Sequence, residues 1–278
     1  MKTLYKFTKR TWLYAILCSL IFTFYSCEEV IEVDLEPSDN RLVVDAEILW
    51  EANTPGNVQQ IYLSRLTDYY ETETQKVSNA EVEISNTNGD IFIFEETEEA
   101  GTYQCNNFSP ELNASYQLEV IVDNETYTAT ERMVSTPEIT KIEQSDDGGF
   151  SADNYEITYY FNDPEEEENY YLETYRTDFL IYPVYGVGSD EFINGNEVDY
   201  GFSDEDLEVG STVNTTFRGI SEQFYEYISL IIQSTSGDPF STPPANIRGN
   251  IINNTNGDNY AFGYFSLSQS RSFDYTIE

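Results

Sequence analysis

The chain has 278 residues with 51 acids against 13 bases and no histidine, for a net charge of −38. Without histidine, Ser-His-Asp and Cys-His hydrolases, His-ligated zinc and imidazole proton shuttles are excluded. Charge of that sign and size repels nucleic acid and anionic headgroups, so no nucleic-acid partner is expected.

The first 26 residues have the three parts of a secretory signal. Lys2, Lys6, Lys9 and Arg10 form a positive start, and an apolar run from Trp12 to Phe22 follows, too short to span a bilayer comfortably. Phe24-Tyr25-Ser26-Cys27 reads as a lipobox, with a small residue before the cysteine that becomes the new N-terminus. An ordinary secreted protein and a retained anchor helix are the plainer alternatives. The charged pair Glu28-Glu29, with no second apolar segment behind it, favours cleavage and lipid attachment at Cys27. Residues 1–26 are then the signal and 27–40 an acidic tether. Nine of the 13 bases remain against 51 acids in the 252-residue mature chain, a net charge of −42. Its contact with a membrane would come through the lipid.

Beyond the tether the sequence predicts an all-β chain, because aromatic and β-branched residues alternate with polar ones between regularly spaced turns. Leu42 to Ile48 opens the first domain, and Val58 to Leu66 follows. Glu81 to Ser85 and Ile91 to Phe94 flank Asn86-Thr87-Asn88-Gly89-Asp90, a hairpin turn whose Asn-Gly step suits positive φ. Tyr116 to Val122 and Thr126 to Thr130 flank a second turn at Asp123-Asn124-Glu125. Together these predict a seven-stranded immunoglobulin-like β-sandwich over 41–137. Thr136-Pro137 and the polar run 145–149 bracket a junction, and 138–278 reads as a second β-rich domain. One amphipathic helix is expected there, over 221–233, lying across the second sheet: Phe224, Tyr227, Ile228 and Ile231 recur at helical spacing behind Ser221 as N-cap.

Few motifs carry chemistry. Two cysteines lie at or before the cut, so Cys105 stands alone in the body and is expected half-buried on a strand, without a disulfide. No glycine-rich phosphate loop follows a strand. With 51 acids, a chance carboxylate pair says almost nothing about catalysis. Asp190, Asn194, Asn196 and Asp199 cluster oxygens around Gly195 as a calcium loop would, though without EF-hand spacing; a polar loop between strands is the plainer reading. Calcium is thus the one cofactor the pattern admits. Pro239, Phe240, Pro243, Pro244 and Asn250 mark a stiff, extended loop that suits partner binding at small entropic cost, packing onto the body being the alternative.

Several segments in order carry a resemblance. They are Cys27 to Leu35, Leu42-Val43-Val44, Val77 to Ile84, the turn at Gly89, Gly101-Thr102-Tyr103 and Tyr116 to Val120. Asp163-Pro164 before Asn169-Tyr170-Tyr171, the loop from Asp238 to Asn250, and Gly263-Tyr264-Phe265 continue the series. The chain resembles the Bacteroidota outer-membrane lipoproteins carrying domain of unknown function 4249. The resemblance implies a lipid-anchored outer-membrane protein, often encoded beside a TonB-dependent transporter, and supplies no catalytic residues. The expectation is therefore a non-enzymatic binding lipoprotein serving a β-barrel transporter as accessory subunit. A structural or adhesive surface protein is the second reading and a polysaccharide-acting enzyme the third. The acids after Cys27 resemble surface-export signals, a hint of outward display.

Overall fold

The computed structural model describes residues 40–67, 74–149, 152–235 and 246–278. The signal segment, Cys27, and Pro239, Phe240, Pro243 and Pro244 lie outside them. The described part is mainly β, with one helix among the described residues.

Seven strands fill the first half: β1 (Leu42–Glu51), β2 (Gln59–Arg65), β3 (Glu81–Asn86), β4 (Ile91–Glu96), β5 (Thr102–Cys105), β6 (Ser115–Val122) and β7 (Glu125–Val134). Period-two alternation explains their burial: Leu42, Val44, Ala46 and Ile48 of β1 all point into one core with Ile61, Leu63, Phe94 and Leu118. Both predicted hairpins form. Asn86 Oδ1 accepts the backbone N–H groups of Asn88 and Asp90 at 3.0 and 2.9 Å, closing the β3–β4 turn. Asp123 and Asn124 both adopt positive φ, 53° and 64°, as a two-residue loop matched to strand twist requires.

The second half contributes β8 (Ile139–Gly148), β9 (Asn154–Asn162), β10 (Tyr170–Arg176), β11 (Val184–Ser189), β12 (Glu197–Ser203), β13 (Thr212–Ile220), α1 (Glu222–Thr235), β14 (Ile252–Asn253) and β15 (Phe262–Thr276). Of the run 145–149, expected at a domain junction, residues 145–148 are instead the irregular end of β8, whose register with β9 shifts between Ser145 and Gly148. Helix α1 starts as predicted: Ser221 Oγ accepts the Phe224 N–H at 3.2 Å and donates to Glu131 Oε2 at 2.8 Å, which pins the cap to β7.

Twelve strands form one hydrogen-bonded sheet in the order β11-β10-β13-β15-β1-β2-β5-β4-β3-β6-β7-β14, and β7 also pairs with β15. Three more, β12-β9-β8, form a small sheet. Ile157, Tyr159 and Phe161 of β9 pack with Tyr171, Tyr175 and Phe217 of β10 and β13 in a second core. Helix α1 covers the opposite face of those strands, where Phe224 meets Leu172, Ile220 and Tyr264. It therefore rests on the main sheet rather than the small one.

The long strand β15 is shared. It runs parallel to β1 from Phe262 to Ser270 and antiparallel to β13 from Ser270 to Thr276. Phe265 and Leu267 serve the first core, Phe273 and Tyr275 the second. At the crossover, Thr136 N–H donates to Gln269 Oε1 at 3.3 Å, Thr136 Oγ1 donates to the Gln269 carbonyl and accepts the Gly219 N–H at 2.7 Å, and Arg271 Nε donates to the Thr136 carbonyl at 3.2 Å. Thr136, read from sequence as a junction residue, is buried and hydrogen-bonded to β13 and to the shared strand β15. Residues 38–278 accordingly form one compact unit.

Entry into β15 depends on Gly263. Its φ is +93°, and a Cβ there would lie 1.9 Å from the Val44 carbonyl oxygen. Gly263→Ala combines left-handed strain with a clash against backbone, and a loss of roughly 2 to 3 kcal/mol is expected on urea denaturation. A loss below about 0.5 kcal/mol would show that β1 and β15 can separate here freely.

Candidate functional site

The structure gives the residues singled out for calcium separate roles in the fold. Asp190 is buried, its Oδ2 accepting the Asn169 N–H at 2.8 Å and its carbonyl accepting Ile193 and Asn194 N–H, each at 2.8 Å. Asn196 Nδ2 donates to the carbonyls of Ile193 and Asn194 at 2.9 and 3.2 Å, and Asp199 lies exposed on β12 opposite Tyr160. Asp163, which sequence reasoning passed over, holds the glycine through its Oδ2, accepting Gly195 N–H at 2.9 Å. Among the described residues no three His, Cys, Asp or Glu side chains are grouped to hold a metal ion.

Asn250 is the one described member of the proline-loop set, and its side chain is spent inside the fold. Its Nδ2 donates to the Phe265 carbonyl at 2.8 Å and its Oδ1 accepts the Phe265 N–H at 2.9 Å, as a neighbouring strand would. Cys105 does sit on a strand, but fully buried, with its thiol donating to Asn107 Oδ1 at 3.1 Å.

A cleft of about 690 Å³ lies on the main sheet across β2, β1, β13, β10 and β11. The strand period aims Asp45 and Glu47 of β1, Thr174 and Arg176 of β10, and Thr216 and Arg218 of β13 onto one face. Tyr62, Val58 and Tyr185 rim it, each at least two-fifths exposed. Arg218 is buried, its Nη1 2.6 Å from Glu47 Oε2 and its guanidinium 5.5 Å from the Phe224 ring of α1. Asp45 is exposed at the cleft surface; partial loss of hydration among its neighbours, and then Glu47 beside it, hold it above its ordinary range, while Arg218 pulls the other way. Burial, together with Glu47 and Asp45, likewise raises the Tyr227 hydroxyl of α1. Gln60 accepts the Tyr62 hydroxyl at 2.7 Å and donates to Gln104 at 2.9 Å, fixing the rim. Two of the nine bases beyond residue 26 thus share one cleft with two carboxylates and exposed aromatic rings.

Against known families, the profile for a domain of unknown function, DUF4249, matches residues 28–274. The chain belongs to the DUF4249 family. No curated protein matches it. Among solved structures, this DUF4249 protein is similar to a two-domain fibronectin type III segment of chicken tenascin, at 11% identity and TM-score 0.21, over 66% of this chain and 90% of that one. A cytokine receptor complex matches at 10% identity and TM-score 0.26, over 64% and 82% of the two chains. The chicken interferon gamma receptor alpha chain matches at 14% identity and TM-score 0.21, over 67% and 90%. Likenesses this low carry no argument about function.

The cleft residues of this DUF4249 protein were invisible as a set in the sequence, because they are drawn from strands up to 173 positions apart, Asp45 to Arg218. The usable signal was chemical: arginines inside strands of a chain with so few bases.

Proposed function

We propose that this protein acts by binding, and that the cleft takes a small amphoteric ligand carrying both a carboxylate and an amino group. The carrying observation is the pairing on one floor of Arg176 and Arg218 with Asp45 and Glu47. A guanidinium suits a carboxylate, an acid suits an ammonium group, and the rim tyrosines can lie against an apolar portion. Glu47 is tied to Arg218, which suits electrostatic recognition better than proton transfer. The reading includes lipid attachment at Cys27, residence on the outer membrane, and a TonB-dependent transporter that would receive the ligand. Its support there is the lipobox sequence and the family resemblance. We also read 41–137 as an immunoglobulin-like sandwich, on the strength of β1 to β7 sharing one core.

A thermal-shift panel of amino acids, dipeptides and neutral sugars at constant ionic strength tests the site. An amphoteric ligand at a hundredfold excess over Kd should add about 2.7 kcal/mol, a rise of several degrees. Arg176 is exposed, so Arg176→Ala should leave the ligand-free melting temperature unchanged and remove the shift. Equal shifts from neutral sugars, or shifts that survive Arg176→Ala, would overturn the assignment.

A further inference from the structure

Four strands form the ends of the two sheets: β14 and β11 in the large one, β12 and β8 in the small one. Sheet edges invite pairing with foreign strands, and proteins block them with shortness, charge, proline or bulges. β14 has only two residues. β12 carries Glu197 and Asp199, while β8 carries Lys141 and two register irregularities. β11 has none of these devices. Its sequence Val184-Tyr185-Gly186-Val187-Gly188-Ser189 is uncharged, lacks proline, and pairs in unbroken register with β10 from Tyr175 to Tyr170. Beyond that ladder, residues 184–188 make no backbone–backbone hydrogen bond to another described residue.

The surroundings indicate what would pair there. The three most exposed large apolar side chains among the described residues, Ile181, Tyr182 and Phe192, at 89%, 79% and 89%, bracket β11 on both sides. Acids flank it as well. Asp178 lies in the loop before it, and a cavity of about 470 Å³ beside Ser189 is lined by Glu168, Glu191, Glu222 and Glu226. A second copy pairing edge to edge would bring these acids together in a chain of net charge −38.

We propose that β11 is a strand-addition site, taking an extended, positively charged segment of a partner protein as the next strand of the main sheet. Backbone hydrogen bonds along the six-residue edge would hold the segment. Ile181, Tyr182 and Phe192 would clasp its ends, and its basic side chains would meet the flanking acids. The edge adjoins the cleft, whose rim includes Tyr185 of β11, but strand addition would use the backbone of β11 and does not depend on ligand capture.

The test uses the full-length chain in detergent at physiological salt and labelled heptapeptides of alternating valine and threonine. The probe has lysine at both ends; one control has glutamate at both ends, and another keeps the lysines but carries a central proline. Anisotropy should show the lysine-ended peptide binding at least about tenfold more tightly than either control, since proline removes a ladder donor. Val184 is exposed on the edge, so Val184→Lys should weaken binding of the lysine-ended peptide at least about tenfold at an unchanged melting temperature. Equal binding of the proline peptide would reduce the effect to charge attraction and overturn the proposal, as would unaltered binding to Val184→Lys. A homodimer in light scattering that Val184→Lys disperses would make a second copy the occupant, and it too would overturn the proposal.

Discussion

Phe217→Ala is expected to destabilise the protein by roughly 3 to 5 kcal/mol, lowering the melting temperature by about 10 °C. Phe217 is fully buried on β13, and its ring centroid lies 4.6 Å from that of Phe161, 5.3 Å from Tyr171 and 5.4 Å from Tyr159. The small sheet is attached to the main one largely through these rings, and the second core contains no disulfide that could hold it closed. Truncation leaves a void among rigid side chains, and two of the neighbours are tyrosines that cannot turn inward without stranding a hydroxyl. Phe217→Leu, which keeps most of the volume, should cost less than about 1.5 kcal/mol. Because β15 serves both cores, loss of the second should also reach the first. Trp50 packs against the first core, so its fluorescence transition should coincide with that of far-ultraviolet circular dichroism. Separate transitions would mean that the shared strand does not couple the halves.

Glu173→Gln should remove a pH dependence on the order of 2 to 3 kcal/mol between pH 5 and pH 8. Glu173 is 7% exposed on β10, beside Gly186, with Tyr159 Oη donating to its Oε2 at 3.3 Å and Tyr175 donating to the same oxygen. Burial raises its pKa to about 7, overcoming the two phenol donors, which lower it. The folded-state pKa lies above the unfolded one, so the folded protein holds the proton more tightly. This contribution is fully present below the unfolded value near 4.5 and is lost as pH rises through about 7. Urea denaturation of both forms across that range isolates the term, because the other acids contribute equally to each. Parallel pH profiles would show that water reaches Glu173 and that it titrates normally. Measured alone, the wild-type curve blends this residue with the self-repulsion of a chain carrying 51 acids.

How much of this was legible beforehand follows the range of the interactions concerned. Alternation in Leu42 to Ile48, the turn residues Asn88-Gly89 and Asp123-Asn124, and the helical spacing behind Ser221 are local, and each corresponds to an element observed. The all-β character and the absence of imidazole chemistry likewise needed only the residues themselves. Tertiary structure decided everything that depends on pairing between distant strands. Nothing near Phe262 to Thr276 announces that its first half will lie parallel to β1 and its second antiparallel to β13, making one unit of what reads as two domains. The polar run at 145–149 has the composition of a linker, yet backbone pairing with β9 draws its first part into a strand. The acids and amides around Gly195 have the composition of a cation loop, but nearby amides claim Asp190, and Gly195 bonds to Asp163, 32 positions away. Composition counts the oxygens a loop owns; only the folded chain determines which hydrogen-bond donors reach them first. The cleft follows the same rule, since Asp45 and Arg218 face each other only because β15 lies between β1 and β13 and sets their side chains on the same face of the sheet.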